Sequence, residues 1–184
     1  DLFYVNIWPD DVHSPFWPPF ENYGLAKEAD KRGLFLAVLE AMDQQFGKLF
    51  EYIQSNSTLR DNTLILFCSD NGPELGAGSA GDLKGYKTHL YEGGIRSSLI
   101  AWGPGFISQE VQGTRKESVF SAIDLMPSLL EFTGTKVAEN SITDGENLIE
   151  TILGVSDSSR TSPIFYSRPP DRKNYYGFEN LPDL

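Results

Sequence analysis

The chain has 184 residues, 40% hydrophobic and 12% aromatic, with a formal net charge of −11. This supplies a core for one domain and excludes a chain disordered by composition, while the acidic balance excludes non-specific nucleic-acid binding, which needs a basic surface. A single cysteine excludes an internal disulfide framework, and no apolar run is long enough to span a bilayer.

Leu2 to Ile7 reads as a buried strand. The prolines of the following stretch, Trp8 to Pro19, forbid regular structure and predict an ordered, aromatic-rich loop. Within it, Asp10 and Asp11 read as loop caps or solvated charges. His13 is compatible with an exposed loop histidine or with a functional one. The chain opens on this apolar stretch without an initiator Met, so it reads as an excerpt of a longer protein. From Gly33 to Gln54 an amphipathic helix is expected, because Phe35, Leu39, Met42, Phe46, Leu49 and Ile53 recur at spacings of four and three. Gly47 interrupts that helix and is expected to permit close approach to a sheet. Asn56 to Asn62 turn the chain into the next strand.

Thr63 to Cys68 is an apolar run of β-formers that ends abruptly in Ser69-Asp70-Asn71-Gly72. It predicts a buried strand that delivers a carboxylate and an amide at its C-terminal end, where open α/β sheets bind ligands. The two hard oxygen donors suit Ca²⁺ or Mg²⁺. By themselves, Asp-Asn-Gly equally make a turn. The glycine-rich stretch Gly72 to Gly81 can bring backbone close to a ligand or can simply move, and it lacks the spacing of a phosphate loop. Lys84, Lys87 and His89 follow. Each, taken alone, reads as a solvated surface group.

Ser97 to Trp102 reads as another buried strand, closed by Gly103-Pro104-Gly105. Ser118 to Phe132 reads as a helix with Ile123, Met126, Leu129 and Leu130 facing inward, Pro127 near a bend or first turn, and Gly134 just past its end. Asp144 to Leu148 leads into a short helix ending near Gly154, and Pro163 to Ser167 reads as a last strand. Residues 168–184 read as an irregular tail.

Ser69 to Gly72, a glycine-rich loop, and then Lys87-Thr88-His89-Leu90-Tyr91-Glu92-Gly93-Gly94-Ile95-Arg96 form a combination that resembles the formylglycine-dependent sulfatases. The fold of that family is related to alkaline phosphatase. The resemblance covers nearly the whole chain and corresponds to the later part of a sulfatase catalytic domain. It implies an α/β fold in which residues 1–184 form a single partial domain, an alkaline phosphatase/sulfatase-like mixed sheet flanked by helices. It also implies that Asp70 and Asn71 are two ligands of a Ca²⁺ ion and that Lys87 binds sulfate. Val12-His13-Ser14-Pro15 matches a strand followed by His-x-Pro, which makes His13 a sulfate-binding histidine and general acid. Lys84 and His89 take supporting, substrate-binding positions. Glu92-Gly93-Gly94 is expected to be architectural and Arg96 to pair with a carboxylate. Asp43 and Gly47 match the family's preceding helix.

Two departures from the family pattern matter. No Cys/Ser-x-Pro/Ala-x-Arg occurs in the chain, and no initial strand ends in a metal-binding Asp-Asp. Cys68 lacks the Pro or Ala and the Arg of a formylglycine precursor and reads as a small buried hydrophobe. The formylglycine and half of the metal cage are therefore expected in an N-terminal part upstream of Asp1, and the isolated chain is expected to be inactive and to bind Ca²⁺ weakly. Aromatic residues and Arg168-Pro169-Pro170-Asp171-Arg172 resemble carbohydrate sulfatases of the N-acetylgalactosamine-6-sulfatase kind, which implies a sulfated small molecule or glycan as partner. A periplasmic, secreted or lysosome-like compartment is suggested by the family alone. Two further readings are a phosphatase or phosphodiesterase of the same superfamily, disfavoured by Lys87 with Glu92-Gly93-Gly94, and a non-catalytic relative that binds sulfated glycans.

Overall fold

The structure, a computed structural model, describes residues 3–25, 30–136 and 142–168. A 3₁₀ segment at Phe20–Leu25 precedes α1 (Lys31–Ser55), α2 (Ser57–Arg60), β1 (Ile65–Cys68), α3 (Glu92–Ile95) and β2 (Leu99–Trp102). A 3₁₀ turn at Ala122–Asp124 then runs into α4 (Leu125–Phe132), and α5 spans Ile149–Ile152. No described helix is long and apolar enough to cross a membrane. The chain forms two compact units, one of residues up to Asn56 with Ser69–Ser98, the other of Ser57–Cys68 with the residues from Leu99 onward.

The first unit is built on α1. Asp30 caps it by accepting the Gly33 N–H at 2.6 Å, which satisfies one of the free donors of the first turn. The helix extends where the apolar spacing predicts it. Its buried line is Ala37, Val38, Ala41, Met42 and Ile53, while Phe35, Leu39, Phe46 and Leu49 are only partly covered. Val38 packs with Phe16 and Ala77, and Val12, Leu34 and Phe35 border that cluster. Phe16 meets Phe35 edge-on with ring centres 5.5 Å apart. The proline-rich loop is thus ordered by its aromatic anchor, as expected. Gly47 has another explanation than close approach: a Cβ placed there meets nothing within 4 Å.

In the second unit β1 pairs antiparallel with β2, in the register Ile65↔Trp102, Leu66↔Ala101, Phe67↔Ile100 and Cys68↔Leu99. The turn after β2 is tight. A Cβ on Gly105 would strike the Asp61 carbonyl oxygen, so glycine is required there. The predicted Ser118–Phe132 helix starts later than expected. Ser121 and Asp124 form a capping box, and residues before it are held extended by Arg160 N–H donating to Val119 O at 2.8 Å and Val119 N–H donating to Ser159 Oγ at 3.0 Å. Pro127 lies in the first turn of α4, as expected. Gly134 (φ +64°) and Gly154 (φ +77°) each follow a helix end. At the first, Thr135 N–H donates to Leu130 O and Gly134 N–H to Glu131 O, a Schellman closure.

Several expectations are corrected. Residues 3–7 form no strand, and Phe3, Tyr4, Val5 and Ile7 are exposed; a strand exists through its neighbour's hydrogen bonds, and among the described residues β1 and β2 pair only with each other. Residues 163–167 form no strand for the same reason, and Phe165 is exposed. Cys68 is exposed rather than a buried hydrophobe, and β1 and β2 are not the buried strands expected: Phe67 and Ile100 are exposed too and their other residues are only half-covered, since among the described residues the sheet has just these two strands. Ile123 and Met126 face outward, and the buried residues of that element are Asp124 and Ser128. Asp124 is the polar centre of the unit. Its carboxylate accepts the N–H groups of Ser121 (2.8 Å) and Glu146 (2.7 Å) and pairs with Arg160, whose Nη2 donates to Asp144 O at 2.9 Å. Ser128 Oγ donates to Asp124 O at 2.6 Å and accepts Leu148 N–H at 2.9 Å. Every group is satisfied, so this polar core displaces the apolar one that the spacing predicted. Of the tail, residues 169–184 lie outside the described residues, as does Leu2 of the first predicted strand.

Candidate active site

Beyond β1 the chain enters Ser69-Asp70-Asn71-Gly72. Ser69 Oγ donates to Asn71 O at 2.9 Å, and Ser97 Oγ donates to Ser69 O at 2.7 Å, which fix the turn from both sides. The Asn71 amide donates directly to Asp70 Oδ1, so the carboxylate and the amide lie side by side.

The glycines explain how this turn meets the later motif. Gly72 N–H donates to Gly94 O at 2.9 Å, Gly93 N–H to Lys84 O at 2.7 Å, and Lys87 N–H to Pro73 O at 2.9 Å. A Cβ on Gly72 would strike the Gly93 carbonyl oxygen. One on Gly93 would strike Gly85 O, and one on Gly94 would strike His89 O. Three backbones therefore stack at distances that only glycine permits. Glu92-Gly93-Gly94, on α3, is architectural as expected. Arg96 pairs with Glu92 across one turn at 3.5 Å, both exposed.

The side chains expected to do chemistry are arranged around that stack. Lys87 is half-buried. Thr88 beside it has φ +81°, a left-handed conformation that a β-branched residue adopts only under strain, on the order of 1–3 kcal/mol. This kink separates Lys87 from His89. His89 lies between two tyrosines, 5.0 Å from Tyr86 and 6.5 Å from Tyr91, ring centre to ring centre, and it is half-buried. Lys84 is exposed and lies over the Tyr91 ring with Nζ 3.9 Å from its centre, a cation–π contact. His13 is exposed. Its N–H donates to Asp10 O at 3.2 Å, and its Nδ1 lies 2.8 Å from Ser14 O. The structure thus brings Asp70 to Asn71 directly, binds Lys87 to their turn through backbone, and leaves Lys84 and His89 on a tyrosine cluster.

The residue that sequence reading missed is Glu74. It follows Asn71-Gly72-Pro73 and is largely buried, its side chain 13% exposed. Lys31 of α1 pairs with Glu74 Oε1 at 2.5 Å and also donates to Leu75 O at 2.9 Å, while Arg32 donates to Ala77 O at 2.9 Å. Burial works to raise the Glu74 pKa, but hydrogen bonds from Lys31 and Ser14 and the charges of Lys31 and Lys87 outweigh it, so the carboxyl is held below its ordinary value. Glu74 and its neighbour Pro73 are therefore where α1 and the Lys87 segment meet. The sequence signal was its adjacency to the Asp-Asn turn.

Asp70 and Asn71 carry a carboxylate and an amide oxygen on one turn, with the amide nitrogen turned to Asp70 Oδ1, and those oxygen types fit part of a Ca²⁺ site. They do not complete one: among the described residues no group of three or more His, Cys, Asp or Glu side chains is gathered to hold a metal.

The family described as Sulfatase matches residues 4–135. Arylsulfatase A of Homo sapiens is 34% identical over 163 residues, covering 86% of this chain and 31% of the relative. N-acetylgalactosamine-6-sulfatase of Homo sapiens is 31% identical over 165 residues, covering 86% and 30%. The crystal structure of Ps i-CgsB in complex with k-i-k-neocarrahexaose superposes with a TM-score of 0.70 at 31% identity, over 80% of this chain and 32% of that one. A chain solved in connection with the metabolism of multiple glycosaminoglycans by Bacteroides thetaiotaomicron gives 0.69 at 25% identity, over 83% and 32%. The chain spans about a third of the length of these relatives. The α/β expectation holds, since these neighbours carry the alkaline phosphatase-like sulfatase fold. With a match extending over well more than half of its residues, this chain belongs to the sulfatase family.

Proposed function

We propose that this chain supplies the metal-binding turn and the sulfate-binding lysine of a sulfuric ester hydrolase acting on a carbohydrate sulfate. The observation that carries this is the glycine interlock, in which Gly72 N–H bonds Gly94 O and Lys87 N–H bonds Pro73 O. These bonds couple the hard-donor pair to a cation in one rigid frame. The carbohydrate class is supported by the names of the relatives.

Asp70 and Asn71 would hold the Ca²⁺, which when bound supplies positive charge that polarises a sulfate. The remaining ligands of the ~6–8 that Ca²⁺ takes come from elsewhere. Lys87 contributes a point charge to the sulfuryl oxygens. At His13 the Ser14 carbonyl, 2.8 Å from Nδ1, fixes a proton on that nitrogen. Nε2 is then the atom that takes up and releases a proton, as a general acid toward the departing alcohol requires. Lys84 over Tyr91, with His89 and Tyr86 beside it, offers a cation and ring faces suited to a sulfated sugar.

Residues 1–184 hold no Cys/Ser-x-Pro/Ala-x-Arg, so the nucleophile comes from outside them and the isolated chain turns over no sulfate ester. Calorimetric titration with inorganic sulfate, run beside an aryl sulfate assay with added Ca²⁺, tests both statements. Lys87→Ala is expected to weaken sulfate binding at least about tenfold, the effect of losing one charge-assisted hydrogen bond. Unchanged binding in that variant removes Lys87 from the site, and robust turnover by the chain alone refutes the external nucleophile.

A further inference from the structure

The carboxylate of Glu74 pairs with Lys31 of α1 three residues beyond Asn71, and neither the metal pair nor the proton transfer uses it. We infer that Glu74 is a positioning residue for the sulfate site, tying α1 to the turn that carries Asp70, Asn71 and the backbone partner of Lys87. The inference rests on the sulfate-site reading above and adds to it the element that assembles the site.

Two lines of geometry meet at Glu74 and its neighbour Pro73. Glu74 Oε1 pairs with Lys31 at 2.5 Å, and the same ammonium donates to Leu75 O at 2.9 Å, so the first turn of α1 is fastened to residues 74–75. Pro73, directly before Glu74, accepts the Lys87 N–H at 2.9 Å, and the charge of Lys87 acts on the same carboxylate. A charge-assisted bond to a largely buried carboxylate is strong and directional, which suits a brace between α1 and that turn.

The inference has a counter-intuitive sign. Glu74 is an anion beside a proposed anion site. If it acted only through its charge, neutralising it would strengthen sulfate binding, because repulsion would be relieved. If it acts by positioning, Glu74→Gln weakens sulfate binding despite that relief. The experiment titrates inorganic sulfate into the wild-type chain and into Glu74→Gln, Glu74→Asp, Lys87→Ala and the Glu74→Gln/Lys87→Ala pair, well below the unfolding temperature of each. Glu74→Gln is expected to weaken binding about tenfold. Glu74→Asp recovers part of the loss, and the double variant is no weaker than Lys87→Ala alone. Tighter or unchanged binding by Glu74→Gln overturns the inference. In parallel, side-chain NMR spectra of the same proteins are read without any ligand. Glu74→Gln moves the Lys87 side-chain resonances while leaving the Val38 methyls in place. Shifts confined to residues 73–75 overturn the inference even if the wild-type chain binds no sulfate, an outcome that defeats the sulfate-site reading by itself.

Discussion

At Gly72 the polypeptide leaves no room for a side chain, because the Gly93 carbonyl oxygen occupies the space a Cβ would take. Backbone cannot step aside as a flexible side chain can. Gly72→Ala is expected to destabilise the chain by about 2 kcal/mol or more, read as a fall in the urea midpoint. A second residue-scale effect is at Glu146. Its carboxylate accepts the Thr161 and Ser162 N–H groups at 2.9 and 2.6 Å and is bonded by the Thr161 hydroxyl, which holds its pKa down at about 2, from an ordinary 4.5. Between those values the unfolded chain binds more protons than the folded one, so stability rises with pH there. The contribution of this group is complete above pH 4.5 and is lost as the pH falls through about 2. Urea midpoints measured from pH 6 to pH 2 should show that acid loss flattened in Glu146→Gln; an unchanged slope would assign it to other carboxylates.

Among the elements, α1 carries a defect and α4 an unusual core. Gly47 is exposed, helical and opposed by nothing within 4 Å. Gly47→Ala should therefore stabilise the chain by up to about 1 kcal/mol, the intrinsic helix difference between the two residues. A thermal midpoint that drops instead would reveal a contact that Gly47 protects. For α4 the expected effect is opposite. Asp124 is fully buried and pairs with Arg160, itself nearly covered. Asp124→Ala leaves that guanidinium buried and three donors without their acceptor, at a cost of about 3–5 kcal/mol. The Asp124→Ala/Arg160→Met pair should recover part of that loss, since removing both charges avoids the unpaired ion. These elements also show what could be read in advance. The extent of α1 follows from the 3.6-residue spacing of its apolar residues, while its start at Lys31, under the Asp30 cap, came from the structure. The inward face of α4 could not be read, because Asp124 and Ser128 are buried only by virtue of partners at Glu146, Leu148 and Arg160, which lie 20–36 residues away.

For the whole molecule, the exposed apolar stretch Phe3, Tyr4, Val5, Ile7 and Trp8 sits on a chain of net charge −11. Charge keeps such a chain soluble, while a run of exposed apolar side chains binds hydrophobic probes. The chain is expected to bind 8-anilinonaphthalene-1-sulfonate, and Val5→Lys with Ile7→Lys should reduce the fluorescence at least about twofold; an unchanged signal would place the probe elsewhere. The sequence by itself determined the family and the glycine requirement at positions 93 and 94, since these depend on residue type at fixed spacing. It also determined α1, because helix hydrogen bonds are local. Tertiary structure decided which apolar stretches become strands. Residues 3–7 and 163–167 have the composition of strands but lack a partner among the described residues, whereas Ile65–Cys68 and Leu99–Trp102 have each other. It also decided the role of Glu74, an unremarkable glutamate in the sequence. Only the folded chain brings Lys31 and the Lys87 segment to it, because charge and hydrogen bonding act through space between residues that sequence spacing does not relate.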